Sequence, residues 1–149
     1  MNSNNYMELS FKAISINEGF ARVAVASFCV QLNPSVDEIN DIKTSVSEAV
    51  TNCIVHAYPN KKNGQVFIRA EIINDTIEIT ISDKGIGISD IQKAREPFWT
   101  SKPSEERSGM GFTVMESFMD HVEVFKNTQG GVSVKMTKRI DCLKSAIGG

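Results

Sequence analysis

The stretch IEITISDKGIG (residues 77–87) alternates apolar and polar side chains up to Asp83 and then carries two glycines with one residue between them. The alternation predicts a half-buried β-strand. Gly85 and Gly87 allow a tight turn and a close approach of the backbone to a flat ligand, because neither has a Cβ atom. The carboxylate of Asp83 would then be available to an exocyclic amine such as that of adenine. Taken alone, however, such a pattern is more often an ordinary turn that closes a strand.

Length and composition restrict the class of protein. A chain of 149 residues fits one domain with its own core, which we place at residues 1–149. A net charge of −2 argues against a direct nucleic-acid partner. No apolar run approaches the roughly 20 residues of a membrane span, and the first residues lack the features of a signal peptide. We therefore expect a cytoplasmic protein without membrane contact.

Three cysteines are present, which is an odd number, and none of them forms a Cys-x-x-Cys pair. This pattern argues against both a disulfide framework and a zinc site. We expect Cys29, Cys53 and Cys142 to be small core residues or free thiols.

The residues before the long helix predict one strand and one helix. Alternation over about residues 6–14 indicates the strand, and Asn17 is placed to cap a helix over residues 18–32. The polar face of this helix carries Glu18 and Arg22, a pair four residues apart that is by default solvated. Its apolar positions recur at helical spacing and predict the buried face: Phe20, Val23, Ala24, Ser27 and Phe28.

A long helix over about residues 36–57 follows, because Ser35 and Glu38 form a capping-box pattern ahead of an apolar stripe. Glu48 and Asn52 are four residues apart and therefore lie on one face of this helix. The carboxamide oxygen of Asn52 is a suitable ligand for Mg²⁺ held beside ATP phosphates, and Glu48 would face the reacting phosphate. An exposed polar pair is the commoner fate of such residues.

The second half of the chain predicts two hairpins separated by a helical region. The strand after Gly64 turns at residues 74–76 and pairs antiparallel with the strand at 77–82, at the centre of the sheet. A short helix is expected over about 90–95. Residues 96–108 show no periodicity and suggest a mobile lid that orders around bound phosphates. A helix with an apolar face, a hairpin from Val122 to Met136 and a flexible tail from about residue 141 complete the chain.

Glycines also lie at the start of the later helix, in the segment Ser108-Gly109-Met110-Gly111. Unpaired backbone N–H groups at a helix N-terminus form an anion site without net positive charge. Lys102 and Arg107 add cations that could reach a γ-phosphate. Together with Glu48, Asn52 and Asp83, this ordered set predicts an ATP pocket.

Four segments resemble the bacterial anti-sigma F factors, serine kinases of the sporulation switch within the GHKL superfamily of ATPases and kinases. They are SEAVTN (47–52), DKGIGI (83–88), EPFWTSKP (96–103) and ERSGMGF (106–112). The resemblance runs from the first strand to about Arg139. It implies an α/β fold, a two-layer sandwich of the Bergerat (GHKL ATPase) type with a mixed, mainly antiparallel sheet and helices on one face.

The resemblance also assigns roles to single residues. It implies that Asp83 binds the adenine amine, that Asn52 holds Mg²⁺ and that Glu48 is the base or orienting carboxylate for a substrate serine. Ser133 stands where relatives often have a threonine in the adenine network. The complete expected site has Glu48 and Arg107 as catalytic residues and, at the nucleotide, Asn52, Asp83, Gly85, Gly87, Lys102, Ser108, Gly109, Met110, Gly111 and Ser133.

Partners follow from the same resemblance. It implies a homodimer that binds and inhibits a sporulation sigma factor through the first helix, at Glu18 and Arg22. It further implies an ATP- and Mg²⁺-dependent protein serine kinase whose substrate is a serine of an anti-anti-sigma protein.

Two other functions fit parts of the pattern. A detached catalytic domain of a histidine kinase would share the boxes, but neither His56 nor His121 lies in an acceptor-like helix motif. A nucleotide-gated binding module without turnover would not need Glu48. A P-loop kinase and a eukaryotic-type kinase are excluded by the absence of their signatures from the sequence.

Overall fold

The computed structural model describes residues 4–58, 64–85 and 107–141. Its strands are β1 (Asn4–Lys12), β2 (Gln65–Ile73), β3 (Thr76–Ser82), β4 (His121–Lys126) and β5 (Val132–Arg139). Its helices are α1 (Ile16–Cys29), α2 (Val36–Asn52) and α3 (Arg107–Phe118). A 3₁₀ turn, Val30–Leu32, follows α1, and a π-helical turn, Cys53–Ala57, follows α2.

The five strands form one sheet in the order β1-β2-β3-β5-β4, and every neighbouring pair among them is antiparallel. Strand β3 is therefore central, with Ile77 paired to Ile72 of β2 and Ser82 paired to Ser133 of β5. Asn74 makes the β2–β3 turn in the left-handed conformation, with φ 58°, which asparagine tolerates better than most residues. Both predicted hairpins are confirmed.

Buried and more exposed side chains alternate along strands β2 and β3, so the two faces of the sheet differ. One face packs against the helices, and α2 contacts both α1 and α3. The largest fully buried side chains of this layer include Ile42, Val46, Val50, Ile77, Ile79, Ile81, Met115 and Met136. The other face carries ion pairs, among them Arg69 with Glu8 at 3.1 Å and Lys135 with Glu78 at 3.5 Å. The predicted two-layer sandwich with helices on one face is confirmed.

Helix α1 differs from its prediction in two respects. The Asn17 side chain donates to the carbonyl oxygen of Lys12 at 2.9 Å and lies within the first turn, so it does not cap the helix. The predicted buried face is also wrong, because Phe20 and Val23 are 54% and 58% exposed. The buried face is instead Ala21, Val25, Ala26 and Cys29. Small side chains on this face let the helix approach the core closely, and the bulky ones are left towards solvent.

Helix α2 begins as predicted. The Glu38 N–H donates to Ser35 Oγ at 3.1 Å and the Ser35 N–H donates to Glu38 Oε1 at 2.9 Å, which is a complete capping box. The helix keeps α geometry to Asn52 and π geometry to Ala57. Glu38 Oε2 also accepts from the Asp141 N–H at 2.9 Å, so the chain is held at the residue where fraying was expected to begin.

Several predictions concern residues that the structure does not describe. The short helix at 90–95, most of the lid, Gly87, Lys102 and the tail after residue 141 lie outside the described ranges. Within those ranges, none of the helices is long and apolar enough to cross a membrane.

Candidate functional site

Asp83 directly follows β3 and continues the strand face that carries Ile81, so its carboxylate is directed into the helical layer. It is only 5% exposed. Its Oδ1 accepts from the Gly85 N–H at 2.9 Å and from the Val132 N–H at 3.2 Å, and the buried Cys53 side chain lies beside the carboxylate. Burial raises the pKa of Asp83, and these donors partly offset that shift. The result is a fixed carboxylate that is suited to accept from an amine.

Asn127, which the sequence analysis missed, supports this carboxylate from the β4–β5 turn. Its Nδ2 donates to the Asp83 carbonyl oxygen at 2.9 Å and to Ser133 Oγ at 3.3 Å. Its Oδ1 accepts from the Gln129 N–H at 3.0 Å and the Gly131 N–H at 3.1 Å. An asparagine shortly before a Gly-Gly pair is a recognisable turn signal, but the sequence does not show which strand end the turn meets.

Ser133 was expected near adenine. Its hydroxyl hydrogen-bonds to the Ser82 hydroxyl at 2.7 Å, on the strand face opposite the Asp83 carboxylate. The β5 residue beside that carboxylate is Val132, through its backbone N–H. Gly131 permits this arrangement, because a Cβ atom at that position would collide with the Asp83 backbone. The structure thus brings Ser133 to the network that holds the strand end and not to the carboxylate itself.

Glu48 and Asn52 lie together under α3. A Cβ atom at Gly111 would lie 3.2 Å from both Glu48 Oε1 and Asn52 Nδ2, so a glycine is what lets α3 approach the pair. Both carboxamide atoms of Asn52 are buried and have no hydrogen-bond partner among the described residues. Leaving such a group unpaired costs roughly 1–3 kcal/mol, and an orphaned amide of this kind requires an explanation.

A metal ligand is one such explanation, because Mg²⁺ takes hard oxygen donors and usually keeps waters and substrate phosphates in its shell. No group of three or more His, Cys, Asp or Glu side chains that could hold a metal occurs in the described part of the chain. The Asn52 carboxamide oxygen fits a magnesium ion whose other ligands are waters and nucleotide phosphates.

The helix that follows the predicted lid begins at Arg107, inside the segment expected to be lid. Its first turn is Arg107–Met110, so Gly109 and Gly111 lie at the start of the helix, as predicted. In general, the N–H groups of a first helical turn have no intrahelical acceptor, which suits them to bind an anion. The side-chain roles expected of Arg107, Ser108 and Met110 stay predictions, as do those of Gly87 and Lys102.

The residues expected to bind a partner, Glu18 and Arg22, are not simply a solvated pair, because Glu18 is hydrogen-bonded to helix α2. Glu18 Oε2 accepts from the Ser47 hydroxyl of α2 at 2.6 Å and lies 3.8 Å from an Arg22 nitrogen. The side chain of Arg22 is 42% exposed. Bulky apolar residues on the same helix are exposed as well, namely Ile16, Phe20 and Val23. A charged pair next to exposed apolar side chains is typical of a protein-binding surface.

Comparison with known proteins gives a consistent result. The sequence model of the histidine kinase-like ATPase domain matches residues 15–138. The chain is 56% identical to a protein named anti-sigma F factor from Oceanobacillus iheyensis, over 95% of this chain and 97% of that protein. It is 55% identical to one of the same name from Clostridium beijerinckii, over 93% and 97%.

A solved structure supports the fold. The RsbU and RsbW domains of a Mycobacterium tuberculosis protein match with a TM-score of 0.66 and 16% identity, over 91% of this chain and 32% of that one. The relatives above, by contrast, match at more than half of the aligned positions along nearly the whole of both chains. The chain therefore belongs to the anti-sigma F factor family, within the histidine kinase-like ATPase domains.

Proposed function

We propose that this protein is an anti-sigma factor that binds and inhibits a sporulation sigma factor and uses Mg²⁺-ATP to phosphorylate a serine of an anti-anti-sigma protein. The family membership supports the anti-sigma role. The observation that carries the kinase role is the buried Asn52 carboxamide, which has no hydrogen-bond partner in the described part of the chain and lies one helical turn from Glu48 beneath Gly111.

Adenine recognition is assigned to Asp83. Its Oδ1 already accepts from two backbone N–H groups, and a carboxylate has further acceptor capacity for the exocyclic amine. Because the carboxylate is buried and fixed, an adenine amine would meet an acceptor that needs no reorganisation. A nucleotide base without that amine would leave this remaining acceptor capacity of the buried carboxylate unused, which is a strong basis for rejection of that base.

Phosphoryl transfer is assigned to the face of α2. Asn52 would hold Mg²⁺, which when bound neutralises charge on the phosphates. Glu48 would orient the serine hydroxyl and take its proton as the oxygen bonds to the γ-phosphorus and ADP departs. The first-turn N–H groups of α3 would face the phosphates. Most of the rate then comes from positioning and charge stabilisation, as in other phosphoryl transfers.

Binding of the sigma factor is assigned to α1. The protein that binds it would be a homodimer. The exposed Phe20 and Val23 give the helix apolar surface, and Arg22 gives it charge. The hydrogen bond from Ser47 to Glu18 joins this surface to the helix that carries Glu48. The sigma factor and the nucleotide would thus be bound by adjacent helices of one layer.

The kinase proposal is tested by measuring phosphate transfer from ATP to a small serine-bearing anti-anti-sigma protein. Glu48→Gln keeps the shape of the side chain and removes its charge, so we expect transfer to fall on the order of 10²- to 10⁴-fold with little change in ATP affinity. Glu123→Gln, at an exposed position of β4, is the matched control and should transfer at the wild-type rate.

Two results would contradict the proposal. Wild-type transfer by Glu48→Gln would show that Glu48 is not the base. Absence of transfer by the wild-type protein, with ATP bound, would favour the nucleotide-gated binding module.

A further inference from the structure

The segment that follows Asn52 contacts every residue of the turn that holds the Asp83 carboxylate. We call Cys53–Tyr58 the π segment and Asp83–Gly85 the adenine turn. A π-helical turn at the end of an α-helix is uncommon and is frequent at functional sites. Here it begins directly after the proposed metal ligand.

Tyr58 holds the middle of the adenine turn. Its hydroxyl accepts from the Lys84 N–H at 2.7 Å and donates to the Gln65 carbonyl oxygen at 2.7 Å. The aromatic ring lies against Gly64, where a Cβ atom would collide with it. One side chain therefore ties the residue after Asp83 to the start of β2.

Cys53 holds the beginning of the turn. It is buried, and its side chain lies beside the Asp83 carboxylate. Of the two groups, only the thiol carries a hydrogen to donate. This donor is matched to a carboxylate, which can only accept.

Gly85 closes the turn against the same segment. A Cβ atom at Gly85 would collide with the carbonyl oxygen of Ala57, so the two backbones are in direct contact. The adenine turn is consequently held at all three of its residues, by Cys53, Tyr58 and Ala57 respectively.

We propose that Cys53 and Tyr58 are positioning residues that fix the orientation of the Asp83 carboxylate and thereby determine the preference for a base with an exocyclic amine. This inference rests on the proposed function, because it takes Asp83 as the acceptor for adenine. Neither side chain is assigned a contact with the nucleotide. Their effect on binding is exerted through Asp83.

The experiment compares the affinities for ATP and for inosine triphosphate, which carries a carbonyl oxygen in place of the amine, by calorimetric titration of the full chain. We expect the wild-type protein to prefer ATP by at least about tenfold. Tyr58→Phe and Cys53→Ala should each weaken ATP binding about three- to tenfold, the range of one hydrogen bond, and should change inosine triphosphate binding less. The ratio of the two affinities should therefore shrink.

The chain supplies matched controls. Tyr6→Phe changes its other tyrosine, which is exposed, and Cys29→Ala changes a cysteine that is buried in the core away from the turn. Both should keep the wild-type ratio, even where Cys29→Ala lowers the melting temperature. Cys53→Ser, which restores a donor, should recover most of the ratio lost in Cys53→Ala.

The outcomes distinguish failure of this inference from failure of the proposed adenine site. A wild-type ratio in both Tyr58→Phe and Cys53→Ala, in a protein that itself discriminates, overturns the inference alone. If the wild-type protein binds both nucleotides equally, the assignment of Asp83 to adenine fails and the inference fails with it. Should Tyr58→Phe not fold, the Cys53→Ala and Cys53→Ser pair decides.

Discussion

Asp83 is a charged group that the fold buries at a cost. Its pKa is raised above the usual range of an aspartate, chiefly by burial, so the folded state binds a proton more readily than the unfolded state. Stability must then fall as the pH rises from the usual aspartate pKa to the raised one. Above that window the carboxylate is ionised in both states and the cost is constant. A buried group that destabilises the fold is typical of a functional site.

Replacement of Asp83 by asparagine should therefore separate stability from binding. The carboxamide oxygen can still accept from Gly85 and Val132, whereas the buried charge is removed. We expect the nucleotide-free variant to melt at or above the wild-type temperature at about pH 7, with the advantage vanishing towards about pH 4. We expect its affinity for both ATP and ADP to fall at least about 100-fold.

Thermal unfolding at the two pH values and calorimetric titration check these expectations. Unchanged ADP affinity would remove Asp83 from the pocket. A lower melting temperature at neutral pH would show that the charge itself stabilises the fold.

Residues whose role depends on local spacing could be predicted from the sequence, and those that act across the fold could not. Glu48 and Asn52 are one helical turn apart, so helix geometry alone puts them side by side. Asn127 reaches the Asp83 carbonyl oxygen across 44 residues of chain, and Tyr58 reaches Lys84 across 26. No periodicity encodes such contacts, because they depend on which strand ends the sheet brings together.

At the scale of elements, the capping pattern correctly predicted where helix α2 begins. The spacing of apolar residues predicted the wrong buried face for helix α1. The capping box at Ser35 fixes where α2 begins, through two local hydrogen bonds. The buried face of α1 is set by how closely the helix can approach α2, and alanine at positions 21 and 26 allows a closer approach than Phe20 would. The bulky side chains remain available to a partner, although Phe20 also contacts the ring of Phe11 edge to face.

Helix α1 carries the prediction for the partner surface. Arg22→Glu should weaken binding of the sigma factor by about tenfold or more, because it places a like charge beside Glu18 and reverses the field that a partner meets. ATP affinity should be unchanged, and stability should change by less than about 1 kcal/mol, as for other exposed ion pairs.

Pull-down with the sigma factor, quantified against protein concentration, measures the effect of Arg22→Glu. Lys126→Glu is a matched charge reversal on β4, at the far edge of the sheet from β1, and should bind like the wild type. Equal retention of the sigma factor by Arg22→Glu and wild type would remove α1 from the interface.

For the whole molecule, the alternation of apolar and polar side chains predicted the two hairpins and the division into a sheet layer and a helical layer. The strand order could not be predicted in this way, because no local sequence pattern indicates that β3 pairs with β5 and not with β4. That pairing is what brings Val132 and Asn127 to Asp83, so the part of the site that sequence reasoning missed is the part that the sheet order creates.

We propose that the complete arrangement forms two separate ends of one nucleotide site. The adenine turn lies at the end of the central strand, and the Glu48–Asn52 pair lies on α2 beneath α3. The π segment joins them, since it begins directly after Asn52 and ends at Tyr58, which contacts the adenine turn. We infer that the Asn52 carboxamide, for which the described residues offer no partner, makes this a site for Mg²⁺-ATP.

The most direct test of that claim is titration of ATP in the presence and absence of Mg²⁺, for wild type, Asn52→Ala and the control Asn40→Ala, an exposed asparagine on the same helix. Asn52→Ala removes a buried amide without a described partner, so its melting temperature without nucleotide should not fall. We predict that Mg²⁺ strengthens ATP binding by wild type and Asn40→Ala, and that Asn52→Ala loses at least about 10- to 100-fold of this gain. The same Mg²⁺ dependence in Asn52→Ala as in wild type would contradict the account.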